Sequence, residues 1–334
     1  MKWLWMLLLT GIVGTLRAQY SLPEGFIVYS KGNDSQRTLY RVDVHPGDTP
    51  EQIAATERKI CEKGAIGGDI EGQISFDGKW LAFARTVAKT TKGKGDNDYH
   101  DYDKWEIYIV RIDGALPAEP IRIGPGYFPS WSDDSDQEVK TLYYTYEKER
   151  SIRQVTIDDR GKVLKEGQLG VLPPDGYEGC TFAAPDGTYA AFRKNGMMST
   201  YFFSGPLAGK DVRLSAGCHP HITADSKWVY HASRNAVRND GSARGRAGAG
   251  GPYHYGSSAD MHWFVTKRTG DSNNQNQGGE VWLCPLYTTD NQFETDAFMK
   301  ICDDGSWVDI HVYPTAENKK IAAKNSKILK EKSK

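Results

Sequence analysis

One pattern is written four times along this chain: a short apolar stretch, an aspartate followed by Gly, Asp or Ser, and then alternating aromatic and β-branched residues. The copies are GQISFDGKWLAFAR at 72–85, FPSWSDDSDQEVKTLYYTY from Phe128, GCTFAAPDGTYAAFR from Gly179 and GCHPHITADSKWVYHAS from Gly217. Alternation with a period of two encodes strands and the Asp-led pair encodes a tight turn, so each copy reads as a β-hairpin. The turn residues Asp77, Asp134, Asp186 and Asp225 are separated by 57, 52 and 39 residues. Those separations bracket the length of a four-stranded propeller blade, a unit that cannot cover its own apolar faces and needs neighbours in an array.

The segment ISFDGKWLAF, and next to it FAAPDGTYAAF, resembles the PD40 (WD40-like) repeats of the TolB-like propeller superfamily, whose signature is SPDGxxLxF. The resemblance covers most of the chain and implies an all-β fold. It leaves activity open, because such propellers serve as binding platforms, as lyases and as domains of peptidases. Counting along the chain gives blades at 67–124, 126–172 and 176–216, a fourth from Gly217 and a fifth ending near Asp304. FIVYS, TLYRVDV and RKIC at the front and WVDIHVYP at the back remain, so the expectation is a six-bladed β-propeller closed by strands from both termini. A seventh blade would have to lie within Arg234 to Trp263, where the glycine content argues against it.

Lys2, the apolar run Trp3 to Val13 and Ala18 compose a secretory signal, which gives three expected parts: signal peptide 1–18, propeller 19–316 and lysine-rich tail 317–334. The apolar run is shorter than the roughly 20 residues that span a bilayer. A soluble periplasmic or secreted monomer is expected. Without Lys2 and Arg17 the chain has 40 basic against 43 acidic side chains, so no global field recruits nucleic acid. The tail from Lys319 reads most simply as a solvated end, and helical periodicity is confined to Pro50 to Glu62 and that tail. Five cysteines in an oxidising compartment suggest a Cys284–Cys302 bridge between neighbouring strands, with Cys61 left over. Cys180 and Cys218 start successive blades and either bond or pack as small hydrophobes.

Of eight histidines, five fall between 219 and 262. His219-Pro220-His221 is the sharpest piece, since residues two apart on an extended strand share a face and can hold one divalent metal ion or one anion. The segment is similar to the HPH-type metal-ligand segment of the oligogalacturonate lyases, which carry a glutamine shortly before the pair; here that place holds Ala216. The stretch NDGSARGRAGAGGPYHYGSS reads as a long loop at a propeller mouth, bringing binding residues to a rigid scaffold. The main expectation is therefore binding of carbohydrate or of a protein partner through 219–262, with Arg238, His254, Tyr255 and Trp263 as contacts. The alternative is a lyase cleaving uronate glycans by β-elimination, in which Arg234 or a metal on His219 and His221 neutralises the uronate carboxylate and His221, His231 and Tyr253 move protons. A scaffold for other envelope proteins, as TolB-like propellers provide, is the third reading. Serine-hydrolase and P-loop chemistry are excluded, because GxSxG and GK[ST] motifs are absent. The carboxylates Asp96, Asp98, Asp101 and Asp103 alternate as calcium ligands can, but lack an EF-hand's glycine and distal glutamate, so they read as a solvated loop.

Overall fold

A computed structural model describes residues 20–32, 37–62, 64, 67–88, 104–134, 138–217, 219–231, 235–246, 253–268 and 278–332. The signal segment, the aspartates of 96–103, Cys218 and Arg234 lie outside the described residues, as do the side chains of His231, Tyr253 and His254. The chain is mostly β. It opens with β1 (Gly25–Lys31), β2 (Thr38–Val44), a short helix α1 (Pro50–Ala55) and β3 (Arg58–Lys59). Thr49 starts α1 through a capping box with Gln52, and Pro50 sits in its first turn, where no N–H is needed.

Three four-stranded antiparallel meanders follow, each made of consecutive strands. The first is β4 (Asp69–Ile74), β5 (Trp80–Thr86), β6 (Trp105–Arg111) and β7 (Ile121–Pro125). The second is β8 (Tyr127–Trp131), β9 (Lys140–Tyr146), β10 (Ser151–Ile157) and β11 (Val163–Val171). The third is β12 (Tyr177–Ala183), β13 (Tyr189–Lys194), β14 (Met197–Phe202) and β15 (Asp211–Ala216).

The fourth set, β16 (His221–Ile222), β17 (Trp228–His231), β18 (Asn235–Arg238) and β19 (Arg244–Arg246), has the same order but touches its successor through Arg246 against Glu294. After it come β20 (Tyr253–Ser257), β21 (Trp263–Arg268), β22 (Gly279–Thr288), β23 (Phe293–Thr295) and β24 (Met299–Val312). Residues 244–246 and 253–257 are thus strands, which corrects the long loop expected over 239–258. Just before them β18 buries Ala236 and Val237 between the exposed Asn235 and the half-buried Arg238.

Strand β24 has two partners in succession. Its first half pairs with β22 (Val281 opposite Cys302), and its second half pairs with β1 (Gly25 opposite Val312, Ile27 opposite Ile310). A Cβ at Gly25 would lie 2.2 Å from the His311 carbonyl oxygen, so the approach of β1 to β24 requires glycine there. The C-terminal helix α2 (Ala316–Lys332) follows, packed on β22. It is more than a solvated end: Asn318, Ile321, Ala322, Asn325 and Leu329 are buried along one side.

No bridge joins Cys284 and Cys302, which are free thiols. Cys302 lies opposite Val281 whereas Cys284, three residues further along β22, lies opposite Phe264, and an odd separation on a strand puts the side chains on opposite faces. Cys284 packs among Tyr230, Phe264 and Phe293; Cys302 packs against the cluster of Tyr29 and Val281. Cys61 is a buried thiol 3.6 Å from Arg85 and 3.8 Å from Asp69, with burial pushing it up to about 12.

Candidate functional site

The same local irregularity recurs on or just before β4, β8, β12, β16 and β24. Glu71, Phe128, Cys180, His219 and Trp307 all adopt left-handed backbone with φ between 50° and 58°. On β4, β8, β12 and β24 this residue falls within a break of the ladder register, a bulge that re-aims the side chains following it. Two residues on, Gln73, Ser130, Phe182, His221 and Asp309 face one shared cavity of about 50 Å³, completed by Tyr230, Tyr255, Gly256 and Ser257. Six strands from six different stretches of the chain converge here: β4, β8, β12, β16, β20 and β24. Gly256 is required, because a Cβ there would lie 2.3 Å from Asp309 Oδ1. A space of this size accommodates one or a few waters and no sugar ring.

Two titratable groups face the cavity with opposite shifts. Asp309 is buried and its carboxylate accepts the N–H of Ile74 at 2.7 Å and of Ile310 at 2.9 Å. Burial outweighs those two bonds and pushes the carboxyl up to about 7. His221 is pushed down to about 3, by burial first and by the charge of His219 second, so its imidazole is neutral at ordinary pH. Its ring sits among Phe182 at 4.7 Å, Tyr255 at 6.1 Å and Tyr230 at 6.2 Å, and Nε2 has no hydrogen-bond partner among the described residues. Nearby but outside this lining, Glu71 is fully buried with neither carboxylate oxygen partnered among the described residues, and burial raises it well above the ordinary range.

His219 and His221 do not act as the expected same-face pair. The left-handed turn at His219 breaks the alternation, and its ring leans on Trp307 at 6.1 Å while His221 lies in the aromatic cage. Among the described residues no group of three or more His, Cys, Asp or Glu side chains gathers as metal ligands. The described residues therefore assemble no site for the divalent ion implied by the lyase resemblance. Arg238 faces away from this cavity's chemistry, over the Trp228 ring at 5.9 Å with Asp290 at 3.4 Å. Tyr255 is buried in the cavity wall.

Trp263 is fully buried among Ile27, Val265, Leu283 and Ile310, so it cannot offer a ring to a ligand. The reason is a fifth copy of the repeat. Ser75 donates to Asp77 and accepts the Trp80 N–H at 3.0 Å; Thr223 does the same with Asp225 and Trp228, and Ser258 with Asp260 and Trp263. The shared signal is [ST]-x-D-x-x-W, and SSADMHW at 257–263 carries it.

No family model matches the chain, and no curated protein does. Among solved structures, a putative TolB of Agrobacterium tumefaciens is 14% identical over 88% of this chain and 100% of that one, with a TM-score of 0.46. A Lactobacillus plantarum protein is 12% identical over 86% of this chain and 99% of its own, with a TM-score of 0.43. Hydrazine synthase of Kuenenia stuttgartiensis is 15% identical over 74% and 76%, with a TM-score of 0.37. With these scores below 0.5, the fold rests on the strand pairing described above.

Proposed function

We propose that this chain is a six-bladed β-propeller, closed by β24 on β1, that serves as a binding platform for a protein partner in the cell envelope, a TolB-like scaffold role. Six inner strands around one axial cavity are what such a closure produces, and the meander order of the three four-stranded sheets supports it. The single observation that carries the functional reading is the cavity itself. It is about 50 Å³, holds one neutral imidazole and one carboxyl near neutrality, and among the described residues has no guanidinium or ammonium in its lining to neutralise a uronate. A face plugged at its centre offers area instead of a pocket, and area is what proteins recognise.

The partner is proposed to dock across the turns that rim this cavity, where Phe76, Pro185 and Ala224 surround the axis. The test is cross-linking in intact cells with the wild-type chain and with Phe76→Glu and Ala224→Glu. Loss of a defined cross-linked species, with the melting curve retained, supports the platform. Unchanged cross-linking in both variants refutes docking at this rim. A rise in ultraviolet absorbance on incubation with uronate polysaccharides would overturn the reading in favour of the lyase.

One observation favours carbohydrate as a second reading. Trp282, Phe298 and Met299 line a groove of about 550 Å³ whose rim carries Glu280, Glu51 and Lys300, the mix of aromatic face and hydrogen-bonding groups that sugars use. Glycan-array binding abolished by Trp282→Ala would establish it.

A further inference from the structure

Helix α2 is strongly and one-sidedly basic. Lys319, Lys320, Lys324, Lys327, Lys330 and Lys332 are all exposed, against the two glutamates Glu317 and Glu331. The helix therefore carries +4 while the remainder of the chain carries −5, which together give the overall −1. Lys319, Lys327 and Lys330 make no ion pair among the described residues; Lys320 reaches Glu317 at 3.6 Å and Lys332 reaches Asp296 at 2.7 Å. From Lys319 to Lys332 the charges extend over about 20 Å at the helical rise.

The array is held in place. Asn318 accepts the Glu24 N–H at 2.8 Å and donates to the Glu24 and Tyr313 carbonyls, and Asn325 accepts the Ser21 N–H at 3.1 Å and returns a bond to its carbonyl. The apolar side chains Ile321 and Leu329 are spent on the body of the protein, so the exposed face has charge without an inserting apolar stripe. Lysines are point charges without the bidentate fork that arginine offers to a specific phosphate, which suits a diffuse anionic surface.

What the surface is follows from where the chain enters. Tyr20 lies directly beneath the end of α2, its ring 5.0 Å from Lys332 Nζ, and Lys324 Nζ bonds Ser21 Oγ at 3.1 Å. The residues preceding Tyr20 carry the apolar run Trp3 to Val13. Where that run stays attached it holds this corner, with its lysines, against the bilayer it enters; once it is removed the charge alone carries the attraction. We propose that the lysine face of α2 docks electrostatically on an anionic phospholipid bilayer.

The test is co-sedimentation of the full chain with vesicles of phosphatidylcholine alone and of phosphatidylcholine mixed with phosphatidylglycerol. Each lysine near an anionic bilayer is worth about a fivefold gain in partition. The triple variant K319Q/K327Q/K330Q should bind the anionic vesicles about a hundredfold more weakly, and the two proteins should bind neutral vesicles equally. Binding to anionic vesicles should also collapse in about 1 M salt, where screening acts within roughly 3 Å. A K319E/K327E double variant, melting as the wild type does, serves as a second check in case the glutamines alter folding. Equal binding of wild type and both variants overturns the proposal, as does preference for a soluble polyuronate or an acidic protein over the vesicles.

Discussion

Replacing Asp309 by asparagine should flatten the dependence of stability on pH. The folded carboxyl is at about 7 and the ordinary value is 3.8, so the unfolded chain gives up its proton first. Stability is complete below the unfolded value and falls as pH rises through the folded one. Between about pH 5 and about pH 8 the linkage relation gives a loss of roughly 2–3 kcal/mol from this one group. The substituted side chain retains an amide oxygen for the Ile74 N–H and cannot ionise, so what it loses is independent of pH. The buried His221 and Glu71 are present in both proteins, so what they add to the pH dependence cancels in the difference. The assay is urea unfolding of wild type and Asp309→Asn at the two pH values. The variant should be the less stable near pH 5 and should close or reverse the gap near pH 8. Curves that stay parallel within about 0.5 kcal/mol would show that Asp309 ionises freely in the folded protein, and the argument from burial would fail.

Trp263→Ala should cost about 3–5 kcal/mol in chemical denaturation, as for any large core truncation, and a loss under about 1 kcal/mol would contradict its burial. Cys284 and Cys302 should both be alkylated after unfolding without reductant, read by mass; a bridged peptide would overturn the opposite-face assignment. Gly25→Ala should lower the melting temperature, because its methyl meets the His311 carbonyl and pushes β1 from β24; an unchanged melt would show that the junction yields at no cost. Deleting 307–314 should abolish cooperative unfolding by calorimetry, since β1 would lose that partner strand, and a single transition at the original temperature would refute the closure.

The hairpins were legible because their chemistry is local: Asp77 and Asp186 precede Gly78 and Gly187, which supply the left-handed turn position with φ of 73° and 69°. The copy at Ser258 escaped because that same position is Met261, at φ 57°, held there by the Ser258–Asp260 hydrogen bond and the return of the strand to Trp263. Ser226 shows the same substitution at φ 57° in a copy whose aspartate and tryptophan were recognised. The histidine pair misled for a related reason: alternation presumes extended backbone, and His219 is not extended. The Cys284–Cys302 pairing failed because neighbouring strands were inferred without their register, and register alone decides which face a cysteine takes. The tail's helical periodicity was legible but its docking was not, because beside Ile321 and Leu329 it is fixed by asparagines bonding to Ser21 and Glu24, some three hundred residues away.

Strand β24 sets a schedule for how this protein is made. Its β1 partner leaves the ribosome long before the 306–312 segment that covers it, because most of the sheet-forming sequence lies between them. At about 5–20 residues per second, β1 and β2 wait tens of seconds with one main-chain edge open. Such an edge is a template for pairing with the wrong chain until the last strand arrives.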